Sequence, residues 1–126
     1  ERAMPSILIV DDEPEILEAT SMIFDMSGFK VYGAASGPEA LQSFKDNHPE
    51  VLLLDHKLPG MSGLELLKAI RASDQKVPAF IITGLTQGVE EVEAEYRQVG
   101  ITEFFRKPLE MAKVFEAVKK AVGSAG

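Results

Sequence analysis

The sequence predicts an α/β fold in which a five-stranded parallel sheet is doubly wound, with five helices covering its two faces. Three observations carry that reading. Apolar runs recur at Ile7-Leu8-Ile9-Val10, Val51-Leu52-Leu53-Leu54 and Ala79-Phe80-Ile81-Ile82, each too short for a helix and too continuous for a strand with one face in water. Segments with helical period separate these runs. Strand and helix then alternate five times, and right-handed crossovers place the helices on both sides of such a sheet.

The elements follow in order. The first strand ends at Asp11-Asp12, and the helix after it has Pro14 suited to its first turn and Ile16, Leu17, Thr20, Ile23 and Phe24 on one face. Gly28 can close that helix in the left-handed conformation. Phe29 to Ala34 mixes polar and apolar residues as edge strands do, and Ser36 with Glu39 has the spacing of a capping box for the second helix. The central run 51–54 leads into Asp55, and the third helix is expected to start near Ser62 and turn Leu64, Leu67 and Ile70 inward. The run 79–82 leads into Thr83, and Val89, Val92, Tyr96 and Val99 mark a fourth helix closed by Gly100. Glu103 to Arg106 is the other edge strand, Lys107-Pro108 follows it, and Val114, Phe115, Val118 and Val122 share the inner face of the last helix.

A length of 126 residues is the usual size of one domain with its own core. The expected unit is therefore 1–126, with its core at about 6–122, a trimmed start at Glu1-Arg2-Ala3 and a flexible tail over 123–126. Twenty acidic residues against 13 basic give a net charge of −7, which excludes the basic stripe that tracks a nucleic acid backbone. Cysteine is absent, which removes disulfides, thiolate metal sites and cysteine nucleophiles. No apolar run approaches the roughly 20 residues of a membrane span, so a cytoplasmic protein without membrane contact is expected.

Ligands of doubly wound sheets sit beyond the carboxyl ends of the strands. At that edge this sequence gathers Asp11, Asp12, Asp55, Thr83 and Lys107. Three crowded carboxylates raise one another's proton affinity unless a cation neutralises them. An all-oxygen donor set suits Mg²⁺, or Mn²⁺, better than zinc. Held by the metal and faced by Lys107, an oxygen of Asp55 can attack a phosphorus centre while metal and ammonium clamp the transferring oxygens.

Plainer readings exist for each residue alone. Asp11-Asp12 could end a strand and cap a helix, Thr83 could be a loop hydroxyl, and Lys107 a solvated charge; their convergence argues for a site. His56 follows Asp55, but the next position at a strand end points away from the cleft, so it reads as a surface residue. His48 lies in a turn beside Pro49. Phe104 and Phe105 alternate across an edge strand, so one of them should be plain core. The run Glu90-Glu91-Val92-Glu93-Ala94-Glu95 reads as a solvated helix face.

Ile7-Leu8-Ile9-Val10-Asp11-Asp12-Glu13, Leu54-Asp55-His56-Lys57-Leu58-Pro59-Gly60-Met61-Ser62-Gly63, Ile81-Ile82-Thr83 and Phe104-Phe105-Arg106-Lys107-Pro108 together resemble the receiver domain of two-component response regulators, from about Ser6 to Val122. The resemblance implies flavodoxin-like topology with strand order 2-1-3-4-5. It also implies a phosphorelay role in which Asp55 accepts a phosphoryl group from a histidine kinase or histidine phosphotransfer protein. Asp12 and Asp55 would then bind Mg²⁺ directly, Asp11 through water, and Lys57 through its backbone carbonyl. Lys107 would pair with the phosphoryl group and precede a cis bond to Pro108. Thr83 would move its hydroxyl to a phosphoryl oxygen, and Phe104 would turn inward on activation. The output would be the face of the fourth helix, fifth strand and fifth helix, which is also a possible homodimer surface. Gly84 departs from the alanine common after the switch residue, and Lys57 and Leu85 stand where the family varies and phosphoryl lifetime is tuned.

The resemblance implies a phosphoacceptor rather than an enzyme with turnover. Three alternatives differ in what they require. A Mg²⁺-dependent phosphatase using an aspartyl phosphate needs an Asp-x-Asp pattern after strand one and a substrate cap, and both are missing. A flavin-binding module needs a Ser, Thr and Gly-rich phosphate loop where Asp11-Asp12-Glu13-Pro14-Glu15 stands. A degenerate receiver that only docks partners would not need the complete set of acids, hydroxyl and lysine.

Overall fold

The computed structural model describes residues 4–125, so the expected trimmed start at 1–3 and Gly126 lie outside the described residues. Strands β1 (Ser6–Val10), β2 (Lys30–Ala34), β3 (Val51–Asp55), β4 (Ala79–Thr83) and β5 (Glu103–Arg106) alternate with helices α1 (Pro14–Met26), α2 (Gly37–Asn47), α3 (Gly63–Arg71), α4 (Val89–Val99) and α5 (Met111–Ala125). All pairings are parallel and the order is β2-β1-β3-β4-β5, as the sequence reading expected.

The continuous apolar runs have their cause in two cores. Leu8, Val10, Leu52, Leu54 and Ile81 face α2, α3 and α4, where they meet Phe44, Leu66, Leu67, Ile70 and Tyr96. The alternate residues Ile7, Ile9, Leu53, Phe80 and Ile82 face α1 and α5 and meet Phe24, Val114, Val118 and Val122. Because both faces of the sheet are covered, both phenylalanines find a core: Phe104 packs on the first and Phe105 on the second, each only partly buried.

Local chemistry sets the helix ends. Ser62 and Glu65 form a complete capping box, with Glu65 N donating to Ser62 Oγ at 3.1 Å and Ser62 N to Glu65 Oε1 at 2.9 Å. Ser36 and Glu39 form half of one: Glu39 N donates to Ser36 Oγ, but the Glu39 carboxylate accepts from Ala35 N instead of Ser36 N. Gly28 takes a positive φ, 94°, as expected; Gly100 also has a positive φ, 110°, but its ψ of 104° lies outside the left-handed conformation expected of it. His48, a turn residue by sequence, closes α2 in the left-handed conformation at φ 48°. Of the expected α1 stripe only Thr20 and Phe24 are buried, while Ile16 and Ile23 remain 36% and 37% exposed. In α3 Leu66 joins Leu67 and Ile70 in the core, while Leu64 packs at its margin. Helix α5 continues through Ala125, into the segment expected as tail. No helix among the described residues is long and apolar enough to cross a membrane.

Candidate functional site

Parallel register brings the site together. Val10 is level with Leu54 and Asp55 with Ile82, so the residues that leave β1 and β3 emerge side by side. Thr83 is level with Arg106, and Lys107 N donates to Thr83 O at 2.8 Å, which sets the lysine beside the end of β4. Carboxylate oxygens of Asp11, Asp12 and Asp55 all lie within 4.8 Å of one another. Asp11 and Asp55 are buried, 5% and 4% exposed, whereas Asp12 is exposed.

Each acid is held differently. Asp11 Oδ1 accepts from Glu13 N at 2.9 Å. The N-cap of α1 is Glu13, without a side-chain cap bond, so neither aspartate caps that helix. Asp55 Oδ2 accepts from Lys107 Nζ at 3.0 Å, and Asp55 Oδ1 from Lys57 N at 3.3 Å. Glu13 Oε1 lies 3.7 Å from the same ammonium, a neighbour that no sequence motif assigns a role. Thr83 is 1% exposed, and its Oγ1 accepts from Leu85 N at 3.1 Å. Asp12, Glu13, Asp55, Lys57, Thr83 and Lys107 line an open cleft of about 420 Å³, with Asp11 buried beneath them. The Lys107-Pro108 peptide bond is cis.

The electrostatics follow from crowding and burial. Burial raises the Asp11 proton affinity; the Glu13 N–H bond works against it and the charge of Asp55 adds to it. Burial alone would lower the Lys107 value, but its hydrogen bond to Asp55 and the charges of Asp55, Asp11 and Glu13 outweigh this and raise it. The ammonium therefore stays charged beside an acidic cluster. An all-oxygen set of this compactness fits a hard divalent cation.

Behind the cleft lies a polar contact that helical periodicity could not reveal. Tyr96 on α4 is fully buried, and its hydroxyl stands 2.6 Å from His56 Nδ1. His56 is thus directed away from the cleft as expected, but into α4 and only half exposed. Burial, with the charges of Asp55 and Glu95, pushes the Tyr96 phenol well above its ordinary value. Burial lowers the His56 value against the raising effect of the same two charges. Phe104, the expected switch aromatic, packs on Tyr96 with ring centroids 5.9 Å apart. Gly63 is part of the same packing, for a Cβ there would lie 2.5 Å from the Asp55 carbonyl oxygen and 2.7 Å from the Tyr96 hydroxyl.

Comparison with known proteins agrees with this geometry. The family model described as the response regulator receiver domain matches residues 7–119. Sporulation initiation phosphotransferase F of Bacillus subtilis is 34% identical over 90% of this chain and 90% of its own length. The regulatory protein AtoC of Escherichia coli is 32% identical over 95% of this chain, which spans only 26% of that protein. The transcriptional regulatory protein PrrA of Mycobacterium tuberculosis is 30% identical and is spanned to 52%. Among solved structures, a CheY-like response regulator receiver domain protein from Methanospirillum hungatei superposes with a TM-score of 0.90 at 28% identity, covering 97% of this chain and 96% of that one. The chemotaxis response regulator CheY4 of Vibrio cholerae gives 0.85 at 28%, covering 94% and 99%. The parallel order, the acidic cleft and the family match converge on one assignment: this chain belongs to the response regulator receiver domains of two-component signalling.

Proposed function

We propose that this receiver domain accepts a phosphoryl group on Asp55 from a histidine kinase or histidine phosphotransfer protein, and that the modified state alters the α4–β5–α5 face. One observation carries the reading: a buried carboxylate at a strand end lies 3.0 Å from the Lys107 ammonium and within 4.8 Å of two further carboxylates. The name of the Bacillus subtilis relative, a phosphotransferase, supports it.

The chemistry follows from the groups present. An oxygen of Asp55 forms the O–P bond as the donor's N–P bond breaks, and the electron pair leaves on the donor's imidazole nitrogen. Lys107 shifts from the carboxylate to a phosphoryl oxygen and neutralises charge there. Thr83 Oγ1 accepts a hydrogen bond from Leu85 N, so its own proton remains to be donated to a second phosphoryl oxygen. Gly84 keeps that side open, since even a Cβ there would meet only Lys107 Cδ at 3.6 Å. Mg²⁺, or Mn²⁺, supplies neutralising charge and clamps phosphoryl oxygens when bound. Asp12 and Asp55 would hold it directly, Asp11 through water, and the Lys57 carbonyl would complete the protein's share.

Hydrogen bonds to a charged phosphoryl group are worth about 1.5–3 kcal/mol each. Two or three of them match the roughly 5.5 kcal/mol that moves a two-state equilibrium from about 1:99 to 99:1. The domain is thus a phosphoacceptor that assists its own modification, and α4–β5–α5 is the surface offered to a partner or a second copy.

Intact mass after incubation with acetyl phosphate or phosphoramidate and Mg²⁺ tests the proposal. One phosphoryl adduct, labile in mild base and lost in Asp55→Asn, is expected. An adduct that persists in Asp55→Asn overturns the assignment of Asp55, and no adduct from small donors or from a set of histidine kinases favours a docking module.

A further inference from the structure

We propose that Tyr96 is a positioning residue of the switch, its buried hydroxyl coupling the strand that carries Asp55 to α4 and to Phe104 through His56. The inference rests on the phosphoacceptor reading of Asp55 and extends it to residues outside the cleft.

Four observations meet at this hydroxyl. Tyr96 is 0% exposed, where phenylalanine would fill almost the same volume without needing a polar partner. Its hydroxyl and His56 Nδ1 are 2.6 Å apart, and the two rings stand edge to face at 5.5 Å. No other acceptor among the described residues is bonded to this hydroxyl, so the buried phenol proton is satisfied only in the tautomer whose Nδ1 accepts it. Gly63 leaves the space through which the hydroxyl reaches the end of β3, since any Cβ there would collide with it and with the Asp55 carbonyl. On its other side the Tyr96 ring packs on Phe104.

The His56 backbone is tied to two further elements. His56 N donates to Ile82 O on β4 at 2.9 Å, and His56 O accepts from Gly63 N at the start of α3 at 2.7 Å. Asp55 and His56 are consecutive with side chains on opposite sides of the strand, so a change of charge at Asp55 reaches the other face through the His56 peptide. The Tyr96 hydrogen bond transmits that displacement to α4, and the ring contact transmits it to Phe104. Phe104 therefore cannot repack inward without Tyr96 giving way. A bond that only satisfied a buried phenol would confer stability and carry no response, which is the distinction to test.

Amide NMR spectra recorded during titration with beryllofluoride and Mg²⁺, a non-covalent phosphoryl mimic, make that distinction. The proteins compared are wild type, Tyr96→Phe, His56→Leu and the double variant. In each single variant the Lys57 and Leu85 amides are expected to shift, reporting an occupied cleft, while the α4 and β5 shifts fall below half of wild type. The mimic affinity should change about fivefold or more, and the double variant should lose no more than the worse single one. Full α4–β5 shifts at wild-type affinity, with only a lower melting temperature, overturn the inference, as do losses that add in the double variant. His56 is only half-buried, so His56→Leu decides the matter if Tyr96→Phe does not fold. Failure of wild type to bind the mimic needs no variant to detect; it overturns the phosphoacceptor reading, and this inference with it.

Discussion

Replacing Gly63 with alanine tests the packing behind the cleft directly. The added Cβ would sit 2.5 Å from the Asp55 carbonyl oxygen, 2.7 Å from the Tyr96 hydroxyl and 3.0 Å from the His56 Cα. Ordinary carbon to oxygen contacts are about 3.3 Å or longer, so the nearest neighbour must retreat by most of an ångström. Two of the three neighbours are backbone atoms at the end of a central strand, and the third terminates a fully buried ring. Nothing there is a flexible side-chain end. Overpacking of this kind costs about 1–3 kcal/mol. Losing glycine's extra unfolded-state freedom returns about 0.5–1 kcal/mol. The net loss is therefore centred on about 1.3 kcal/mol. With a urea m-value of about 2 kcal/mol/M, the unfolding midpoint should fall by about 0.6 M, read by far-UV circular dichroism at equal m. Phosphoryl uptake should slow as well, because the Asp55 carbonyl is one of the atoms displaced. A midpoint at or above wild type would refute the close approach and the role given to Gly63.

Two further predictions concern the cleft. The folded-state value of Asp11 is raised, so its ionisation is disfavoured more in the folded than in the unfolded chain. Its contribution to stability is intact below the unfolded value and is lost as pH rises through the folded one. Metal-free Asp11→Asn should then be more stable than wild type at pH 7, with the gap closing as pH falls toward and below 3.8; urea titrations at several pH values check this, and a gap that widens in acid contradicts it. Lys107→Ala removes the ammonium 3.0 Å from Asp55, and should slow phosphorylation by small donors about 100-fold, measured by intact mass against time; an unchanged rate would remove lysine from the mechanism.

Several features are legible in the sequence alone. Fully apolar runs of four residues announced strands buried on both faces, and the structure has them within a residue or two of the expected bounds. The polar residue ending each run identified the edge where Asp11, Asp12, Asp55, Thr83 and Lys107 meet. What sequence could not carry was the partner of each polar atom. Ser36 and Glu39 had the capping-box spacing, yet the carboxylate chose Ala35 N. Asp11-Asp12 had the composition of an N-cap, yet Glu13 took that position. Tyr96 fell on an apolar stripe because periodicity records which face turns inward and ignores a hydroxyl at the ring's far end.

The sequence by itself determined the architecture and the membership of the cleft, because parallel strands and right-handed crossovers send every strand's carboxyl end to one edge. Only the tertiary structure decided that Glu13 joins Lys107, that Gly63 must lack a side chain, and that His56 and Tyr96 bond behind Asp55. The Gly63 contacts and the His56–Tyr96 bond depend on the depth and angle at which α3 and α4 pack on the sheet, and the Glu13–Lys107 pair on how the loops after β1 and β5 meet. Such distances arise from many side chains filling space together, and no local pattern encodes them.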